Sequence, residues 1–430
     1  MSWRQILCAS LCGLVLYVLV GHYLAVGNNA TSRPVTSDFY KLYISGQRAL
    51  NDESMYWVPP PRSQIGDACH PDTPDDKRQA AMPPANRLNL GGDLPCLGPN
   101  LNPPIFMLAM IPLSSLPYTA AWWTWNCWSI FCILLSTWML SRSEKNQCRR
   151  AYLTLIGSTV ALAFYPTIAN FSLGQLGSFL LLPLTCAWIN LSQKSYVRAG
   201  FWLGLAMAFK PFLGVLMVGM LCMKRWQLAF TTVVSATLFT ATGVAIFGWT
   251  ASMDYINLAS NVTWTATNWN ASFIGFVDRA FVGMGAPLDT CLSILPKLLG
   301  WVAASVILIA WSWQMRKVHR RSAESADAAL FSVGLPISLL ASPLGWMYYF
   351  PTLLLSAFIS WEHGKFDQTR RWPMIATGMA LVAAMVPITL QSTPTQKYPP
   401  DWMGIDSWYF YTLVGFSLAM AASFRRNARP

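Results

Sequence analysis

Long apolar runs separated by short polar clusters set the pattern along the chain. A helix needs about 20 mainly apolar residues to cross the ~30 Å hydrocarbon core of a bilayer, and most of the runs approach that length. The pattern therefore predicts an all-α polytopic membrane protein with about 12 transmembrane helices. The twelve candidate segments are 6–26, 118–140, 151–169, 176–192, 199–209, 212–223, 228–248, 291–314, 325–341, 345–360, 373–390 and 407–423.

Two stretches between these segments are longer than ordinary loops. We predict a large first outer loop over 27–104 and a second outer loop over 249–290, since connections of this length are usually functional or disordered. Within the first, apolar residues recur at helical spacing, which predicts an interfacial helix over 38–50. The apolar stretch 102–118 is broken by prolines and is expected to be interfacial or re-entrant. With no internal repeat, residues 1–430 are interpreted as one membrane domain.

Composition and charge support the membrane interpretation. Hydrophobic residues make up 54% of the chain and charged residues only 11%, against roughly 25% charged in soluble domains. The net charge of +12 does not indicate a nucleic-acid partner, because the basic residues lie in short clusters between apolar runs. Most of them fall in alternate loops, which by the positive-inside rule places both termini in the cytoplasm. We expect the first segment to be retained as a helix.

Cysteine usage gives one disulfide candidate and no metal site. Of ten cysteines, most lie in or beside apolar runs, where cysteine behaves as a small hydrophobic residue. Cys69 and Cys96 lie instead in the polar part of the first outer loop, where an oxidising compartment would let them pair. No CxxC pair or histidine cluster suggests a metal, and no cofactor is expected.

Polar residues at the breaks between membrane segments are the candidates for chemistry, because they are costly to bury in a membrane. With the predicted topology all of them fall on the outer face, although they come from six separate regions. The candidates are Asp38, Asn170, Gln175, Lys210, Asn270, Ser272, Arg279, Ser342, Trp346, Tyr348 and Tyr349.

One acid and two separated bases at a membrane surface suit the chemistry of a lipid phosphate. Lys210 and Arg279 are candidate phosphate ligands, and Asp38 is a candidate general base for an attacking hydroxyl. Tyr40 and Tyr43 beside it would line a sugar or prenyl groove. Structural alternatives stay open, since Asp38 is also placed to cap the 38–50 helix, and lysines commonly extend toward the interface at helix ends. The paired tyrosines of the last region also suit ordinary interfacial aromatics.

Six stretches, in order, resemble the glycosyltransferases of family 87, the polyprenyl-phosphate-mannose-dependent mannosyltransferases of the GT-C superfamily. No single one of them is specific, but together they run from residue 37 to about residue 350. They are "SDFYKLYISGQRAL", "NPPIFMLAMIPLSSLPYTAAWW", "NFSLGQLGSFLLLPLTCAW", "RAGFWLGLAMAFKPF" followed by "KRW", "NASFIGFVDR" and "ASPLGWMYYF".

The resemblance implies an inverting transfer of a sugar, with mannose as the family's usual sugar, from a polyprenyl-phosphate donor to a glycolipid or polysaccharide acceptor, without a metal. It implies that Asp38 is the catalytic base and that Lys210 and Arg279 bind the donor phosphate. It also implies that Gln175, Asn270 and Ser272 shape the sugar site. Trp346, Tyr348 and Tyr349 are further candidate substrate-binding residues. The two tyrosines stand where the family often has histidines, so no histidine role carries over.

Two other functions compete with the enzyme. A transporter or flippase of a lipid-linked sugar would also have many membrane segments, but such proteins often show two related halves and a site near the bilayer midplane, and neither is evident. A scaffold of the cell envelope would explain the long loops but not the six ordered stretches. The expected location is a bacterial inner membrane, with the active site on the periplasmic or extracellular face.

Overall fold

The computed structural model describes residues 3–32, 34, 37–56, 100–262, 265–283, 294–364, 371–387 and 404–424. These residues form α-helices joined by short turns and contain no strand beyond one isolated bridge. The helical fold class predicted from the apolar runs is therefore confirmed for this part of the chain. The disulfide candidates Cys69 and Cys96, and most of the predicted first outer loop, lie outside the described residues.

The helices in the first half of the described chain range from 9 to 30 residues in length. They are α1 (Trp3–Ser32), α2 (Asp38–Leu50), α3 (Pro104–Ser114), α4 (Tyr118–Ser141), α5 (Gln147–Ala163), α6 (Tyr165–Leu173), α7 (Gly177–Ser192) and α8 (Tyr196–Phe209).

The second half of the chain also contains three short 3₁₀ turns between helices. They are Pro211–Val215, Met347–Tyr349 and Ile405–Ser407. Its helices are α9 (Leu216–Cys222), α10 (Trp226–Ser260), α11 (Phe273–Gly283), α12 (Ile294–Arg321), α13 (Ala323–Ala341), α14 (Pro351–Gly364), α15 (Arg371–Ala383) and α16 (Trp408–Ser423).

Four helices of the described chain are long and apolar enough to cross a membrane, namely α1, α10, α12 and α13. A fifth span is obtained if α5 and α6, which meet at an angle of 61°, count as one broken segment. The predicted number of about 12 spans is therefore not established. The shorter apolar helices α3, α7 and α8 have at most 16 residues, and a helix rises only about 1.5 Å per residue.

Helix α13 is the centre of the bundle. Of its most apolar window 89% is buried, whereas the corresponding values for α1, α10 and α12 are 11%, 17% and 22%. It packs against α12, α14 and α16. The outer helices instead expose large apolar side chains such as Tyr17, Phe230 and Ile309, as expected of surfaces that face lipid.

Helices α8 and α10 approach each other through small residues. Gly200 and Gly204 lie four residues apart on α8, and a methyl group at either position would lie within 2.5 Å of Thr231 or Ser235. Such small-residue spacing lets two membrane helices pack closely without large side chains between them.

Two breaks differ from the predicted boundaries. The predicted segment 151–169 is divided between α5 and α6, where Pro166 follows the turn at Phe164. Residues 249–260, predicted to start the second outer loop, continue α10 beyond a sharp bend at Gly248, whose φ of 84° lies in the left-handed region. Glycine tolerates this backbone conformation at little cost.

Candidate active site

Ser37, and not Asp38, caps the N-terminus of α2, so the carboxylate of Asp38 has no capping role. Ser37 is the N-cap, and its hydroxyl oxygen accepts a hydrogen bond from the backbone N–H of Phe39 (3.2 Å). The same hydroxyl donates to the carbonyl of Leu173 (3.1 Å), which ties α2 to the end of α6. Asp38 occupies the first position of the helix, where a negative charge is favoured by the helix dipole.

Two polar groups contact the carboxylate of Asp38. The Lys41 ammonium lies 2.5 Å from Asp38 Oδ1, one helical turn away on the same face. The Gln175 side-chain amide donates a hydrogen bond to Oδ2. The Asp38 side chain keeps 29% of its surface exposed, so it is only partly covered by these contacts.

A left-handed glycine places Gln175 at this position. Gly174 ends α6 with a φ of 63°, and a methyl group there would lie 2.5 Å from Cβ of Phe39. Trp125 of α4 donates its indole N–H to the carbonyl of Gly174 (2.9 Å). The tight turn between α6 and α7 is thus held against both α2 and α4, and it presents the amide of Gln175 to Asp38.

Asn170 connects this turn to the region after α13. Its side-chain amide donates to the backbone carbonyl of Tyr348 (3.0 Å). Gly177 also lies against that carbonyl, since a methyl group at Gly177 would lie 1.9 Å from the oxygen. The 347–349 turn therefore packs directly on the start of α7. Asp38 is close enough to Tyr348 and Tyr349 to act on both electrostatically.

Lys210 lies at the break between α8 and the 211–215 turn, with only 7% of its surface exposed. Its backbone is extended, as expected of a residue that precedes proline. The ammonium lies over the ring of Tyr349, 5.3 Å from the ring centroid. Its charged neighbours include Lys41 and Asp38, which both influence it electrostatically. Among the described residues, the ammonium forms no ion pair.

Asn270 joins the loop before α11 to the loop after α13. Its side-chain amide donates to the carbonyls of Thr265 (2.9 Å) and Pro343 (3.0 Å). Its side-chain oxygen accepts from the backbone N–H groups of Ser272 (3.2 Å) and Gly345 (3.0 Å). With four internal hydrogen bonds and no exposed surface, this side chain connects two loops.

Trp346 and Ser272 are placed by the same pair of loops. Trp346 forms the isolated bridge with Asn270, and its ring lies parallel to that of Tyr349 at a centroid distance of 6.4 Å. The hydroxyl of Ser272 accepts a hydrogen bond from the N–H of Gly275 in the first turn of α11 (3.0 Å). Trp346 and Lys210 therefore both contact the ring of Tyr349.

Most donors of Arg279 are engaged inside the protein. Nε donates to the hydroxyl of Ser407 (2.9 Å), and Nη1 donates to the carbonyls of Thr267 (2.7 Å) and Asn270 (2.9 Å). Nη2 is buried and has no hydrogen-bond partner among the described residues. Burial lowers the pKa of Arg279 to about 10, so the guanidinium stays charged at neutral pH. The neighbouring Asp278 has a raised pKa because it too is buried.

Tyr40 and Tyr43 belong to an aromatic cluster around Tyr118. Both rings meet Tyr118 edge-on, at 5.3 and 5.4 Å. The hydroxyl of Tyr43 donates to the carbonyl of Leu116 (2.7 Å) and accepts from the amide of Gln47 (3.0 Å). The hydroxyl of Tyr43 is therefore engaged in packing α2 against the start of α4.

An apolar groove of about 740 Å³ adjoins the site between α3, α4 and α7. Two of its lining residues, Trp125 and Phe179, stack on each other, and Trp125 also stacks on Phe39, next to Asp38. The lining is Ala109, Pro112, Leu113, Trp123, Thr124, Trp125, Cys127, Trp128, Phe131 and Phe179.

The structure thus brings Asp38 into contact with Gln175 and into electrostatic reach of Lys210, Tyr348 and Tyr349. Ring stacking and hydrogen bonds link Trp346, Asn270, Ser272 and Arg279 to this group. Sequence reasoning missed Lys41, although its i, i+3 spacing from Asp38 was a usable signal. It also missed Trp125, whose position depends on tertiary packing alone. In the described part of the chain, no three histidine, cysteine or acidic residues are grouped so as to hold a metal ion.

The fold and the site define a helical membrane protein whose polar residues gather at the ends of broken helices. A family model for glycosyltransferase family 87 matches residues 100–343, more than half of the 430 residues. The chain belongs to this family, and it is a membrane glycosyltransferase. The family resemblance found in the sequence is therefore confirmed.

The limits of the match matter for the site. Gln175, Lys210, Asn270, Ser272 and Arg279 lie inside the matched residues, whereas Asp38 and the 347–349 turn lie outside them. No curated protein matches the chain, and no solved structure matches it.

Proposed function

We propose that the protein transfers mannose from a polyprenyl-phosphate donor to a glycolipid or polysaccharide acceptor, on the outer face of a bacterial inner membrane. Asp38 is the general base, and Lys210 binds the donor phosphate. The observation that carries this proposal is the partly exposed carboxylate of Asp38, held by Gln175 in the electrostatic neighbourhood of a buried lysine.

In the proposed reaction, an acceptor hydroxyl attacks the anomeric carbon from the side opposite the phosphate. A carbon–oxygen bond to the acceptor forms while the bond between that carbon and the phosphate oxygen breaks. The electron pair leaves with the polyprenyl phosphate, and the hydroxyl proton passes to Asp38. The configuration at the anomeric carbon is inverted. The residues named for these steps need no metal ion.

The remaining site residues have supporting roles in this proposal. Gln175 fixes one carboxylate oxygen, so that the other points to the acceptor. Trp346, Tyr348 and Tyr349 form the aromatic wall against which the sugar lies, since sugar rings pack well on aromatic faces. Asn270 and Ser272 hold the loops that carry this wall. In this proposal they position the substrate-binding residues and do not contact the sugar themselves.

The groove beside Trp125 supports a lipid-linked donor. An isoprenoid chain is a long apolar ligand, and apolar surface that is covered on binding contributes about 25 cal/mol per Å². Trp125 lines the groove and stacks on Phe39, the neighbour of Asp38 in the sequence. We therefore place the donor phosphate next to Asp38 and Lys210 when the prenyl chain lies in the groove.

The proposal predicts that Asp38→Asn leaves the protein folded but reduces sugar transfer by about 10²- to 10⁴-fold, the usual contribution of a general base. The measurement is transfer of labelled mannose from polyprenyl-phosphate mannose in proteoliposomes. Asp52→Asn is the matched control, because Asp52 follows the same helix and has a positive φ that asparagine tolerates well. Transfer by Asp38→Asn at the rate of the control would remove Asp38 as the base.

The same proteoliposomes test the transporter alternative. Movement of the lipid-linked sugar across sealed vesicles, with no glycosylated acceptor formed by the wild-type protein, would favour a flippase over the enzyme.

A further inference from the structure

Two lysines and one aspartate share the space at the start of α2. Lys41 lies 2.5 Å from Asp38, and only 14% of its side-chain surface is exposed. Lys210 is 7% exposed and is influenced electrostatically by both groups. The formal charge of this cluster is +1 when all three groups are ionised. A buried charge without a partner is costly, so the cluster is suited to receive an anion.

Asp38 cannot neutralise both lysines at once. Its Oδ1 pairs with Lys41 and its Oδ2 accepts from Gln175, which leaves no carboxylate oxygen committed to Lys210. The ring of Tyr349 under Lys210 stabilises a cation less than an opposite charge in direct contact would. Lys210 is influenced by the charge of Asp38 but forms no ion pair with a residue that the structure describes.

Arg279 is poorly placed to supply the second cation of a phosphate site. Two of its three nitrogen atoms already donate to Ser407, Thr267 and Asn270. Its charged neighbours are Asp406 and Asp278, and neither Asp38 nor Lys210 is among them. The only donors of this guanidinium without a partner among the described residues are the two on Nη2, and that nitrogen is buried, so it is not presented to a phosphate.

We propose that Lys41 and Lys210 together bind the phosphate of the lipid-linked donor, with Lys41 moving from Asp38 to the phosphate when the donor enters. This inference rests on the proposed function. The ligand is a phosphodiester with one negative charge. Its binding replaces the contact between Lys41 and Asp38 by a contact between Lys41 and phosphate. The carboxylate keeps its hydrogen bond from Gln175 and loses its ion pair, so it becomes a stronger base only when the donor is in place.

The test is binding of polyprenyl phosphate, the phosphomonoester that leaves in the proposed reaction, to the purified full-length protein in nanodiscs of neutral lipid. We expect Lys41→Met and Lys210→Met each to weaken binding by about 10- to 100-fold, as for the loss of one charge-assisted hydrogen bond. Lys41→Arg keeps the charge and should bind within about threefold of wild type. Arg48→Met is the matched control, since Arg48 lies on the same helix and pairs with Glu53 instead. It should bind like wild type.

A second measurement separates the two possible sources of the phosphate. Inorganic phosphate is added as a competitor at millimolar concentration. Displacement would show that the lysines recognise the phosphate group alone, whereas no displacement would show that the prenyl chain is required. Both results support the pair of lysines, because both leave the binding loss in Lys41→Met in place.

Asp38→Asn distinguishes this inference from the proposed function. Removing the carboxylate frees Lys41, so Asp38→Asn should bind polyprenyl phosphate more tightly than wild type while losing transfer. Retained transfer by Asp38→Asn, together with weak binding by the lysine variants, would contradict the catalytic role of Asp38 but not the phosphate site. Unchanged binding in Lys41→Met or Lys210→Met would overturn the phosphate site. If Lys41→Met fails to fold, Lys41→Gln is measured in its place.

Discussion

Asparagine side chains hold the loops of the candidate site together at the residue scale. Asn170 joins the turn before α7 to the turn after α13, and Asn270 joins that second turn to the loop before α11. Amides suit this role because each offers both donors and acceptors, and they bring no net charge that must be neutralised in a buried position.

We predict that Asn270→Ala destabilises the protein by about 2–4 kcal/mol, because it removes four hydrogen bonds and leaves buried backbone groups without partners. The measurement is the free energy of unfolding in mixed micelles. Asn190→Ala is the control, since that side chain makes one hydrogen bond within α7, and it should cost less than about 1 kcal/mol. Equal losses in the two variants would contradict the bridging role.

The residue types of the site were accessible from the sequence, but their partners were not. Polar positions at helix breaks drew attention to Asp38, Gln175 and Lys210, which the structure brings together. The internal contacts of Arg279 depend on Ser407, 128 residues away, and no local pattern contains that information. Lys41 was missed for a different reason. A lysine one turn after an aspartate is common on solvated helices, so the pair did not mark a functional site.

The residues of the candidate site lie at breaks between helices. Gln175 follows the end of α6, Lys210 follows the end of α8, and Tyr348 and Tyr349 precede α14. At each break the backbone leaves helical geometry, so polar groups become free to turn toward a ligand. Within membranes, irregular backbone is tolerated only where protein or water-filled space surrounds it, which restricts such breaks to sites of this kind.

We predict that Gly174→Ala impairs both the fold and the activity, since alanine at a φ of 63° costs about 1 kcal/mol and its methyl group would collide with Phe39. The collision displaces the turn that presents Gln175. The melting temperature and the rate of sugar transfer should both fall.

Gly415→Ala is the matched control for this variant. Gly415 lies inside α16 with no atom within 4 Å of the added methyl group, and alanine favours helices over glycine by about 1 kcal/mol. Its melting temperature should therefore stay the same or rise. A Gly174→Ala protein with normal melting and transfer would show that the geometry of this turn is not critical.

Helix positions followed from the sequence more closely than spans did. The apolar spacing predicted a helix over 38–50, and the structure has one from Asp38 to Leu50. Hydropathy does not reveal whether two short helices on either side of a proline form one crossing or two, and this uncertainty affects Pro166 and Pro211 equally. The bend at Gly248 was missed for a related reason, because a glycine within an apolar run gives no indication of its φ.

At the scale of the whole molecule, a buried α13 is surrounded by helices whose outer faces are apolar. The groove between α3, α4 and α7 interrupts this apolar surface close to Asp38. The proposed lipid-linked donor would therefore enter this groove from within the bilayer.

We predict that Ala109→Trp, which fills part of the groove, raises the KM for a long-chain polyprenyl-phosphate donor by about tenfold, because covering less apolar surface weakens binding. The KM for a donor with a chain of one or two isoprene units should change little. Val306→Trp is the control, since Val306 is exposed on α12, away from the groove. Equal effects on long and short donors would place the chain elsewhere.

The two asparagine bridges also have a consequence for biogenesis. Asp38 emerges from the ribosome early, but the turn at Tyr348 that Asn170 fastens beside it is made about three hundred residues later. An unfinished chain contains Asp38 but lacks Tyr348 and Tyr349. The proposed site is therefore complete only after the 347–349 turn has been made, and we expect a chain truncated before residue 350 to show no sugar transfer.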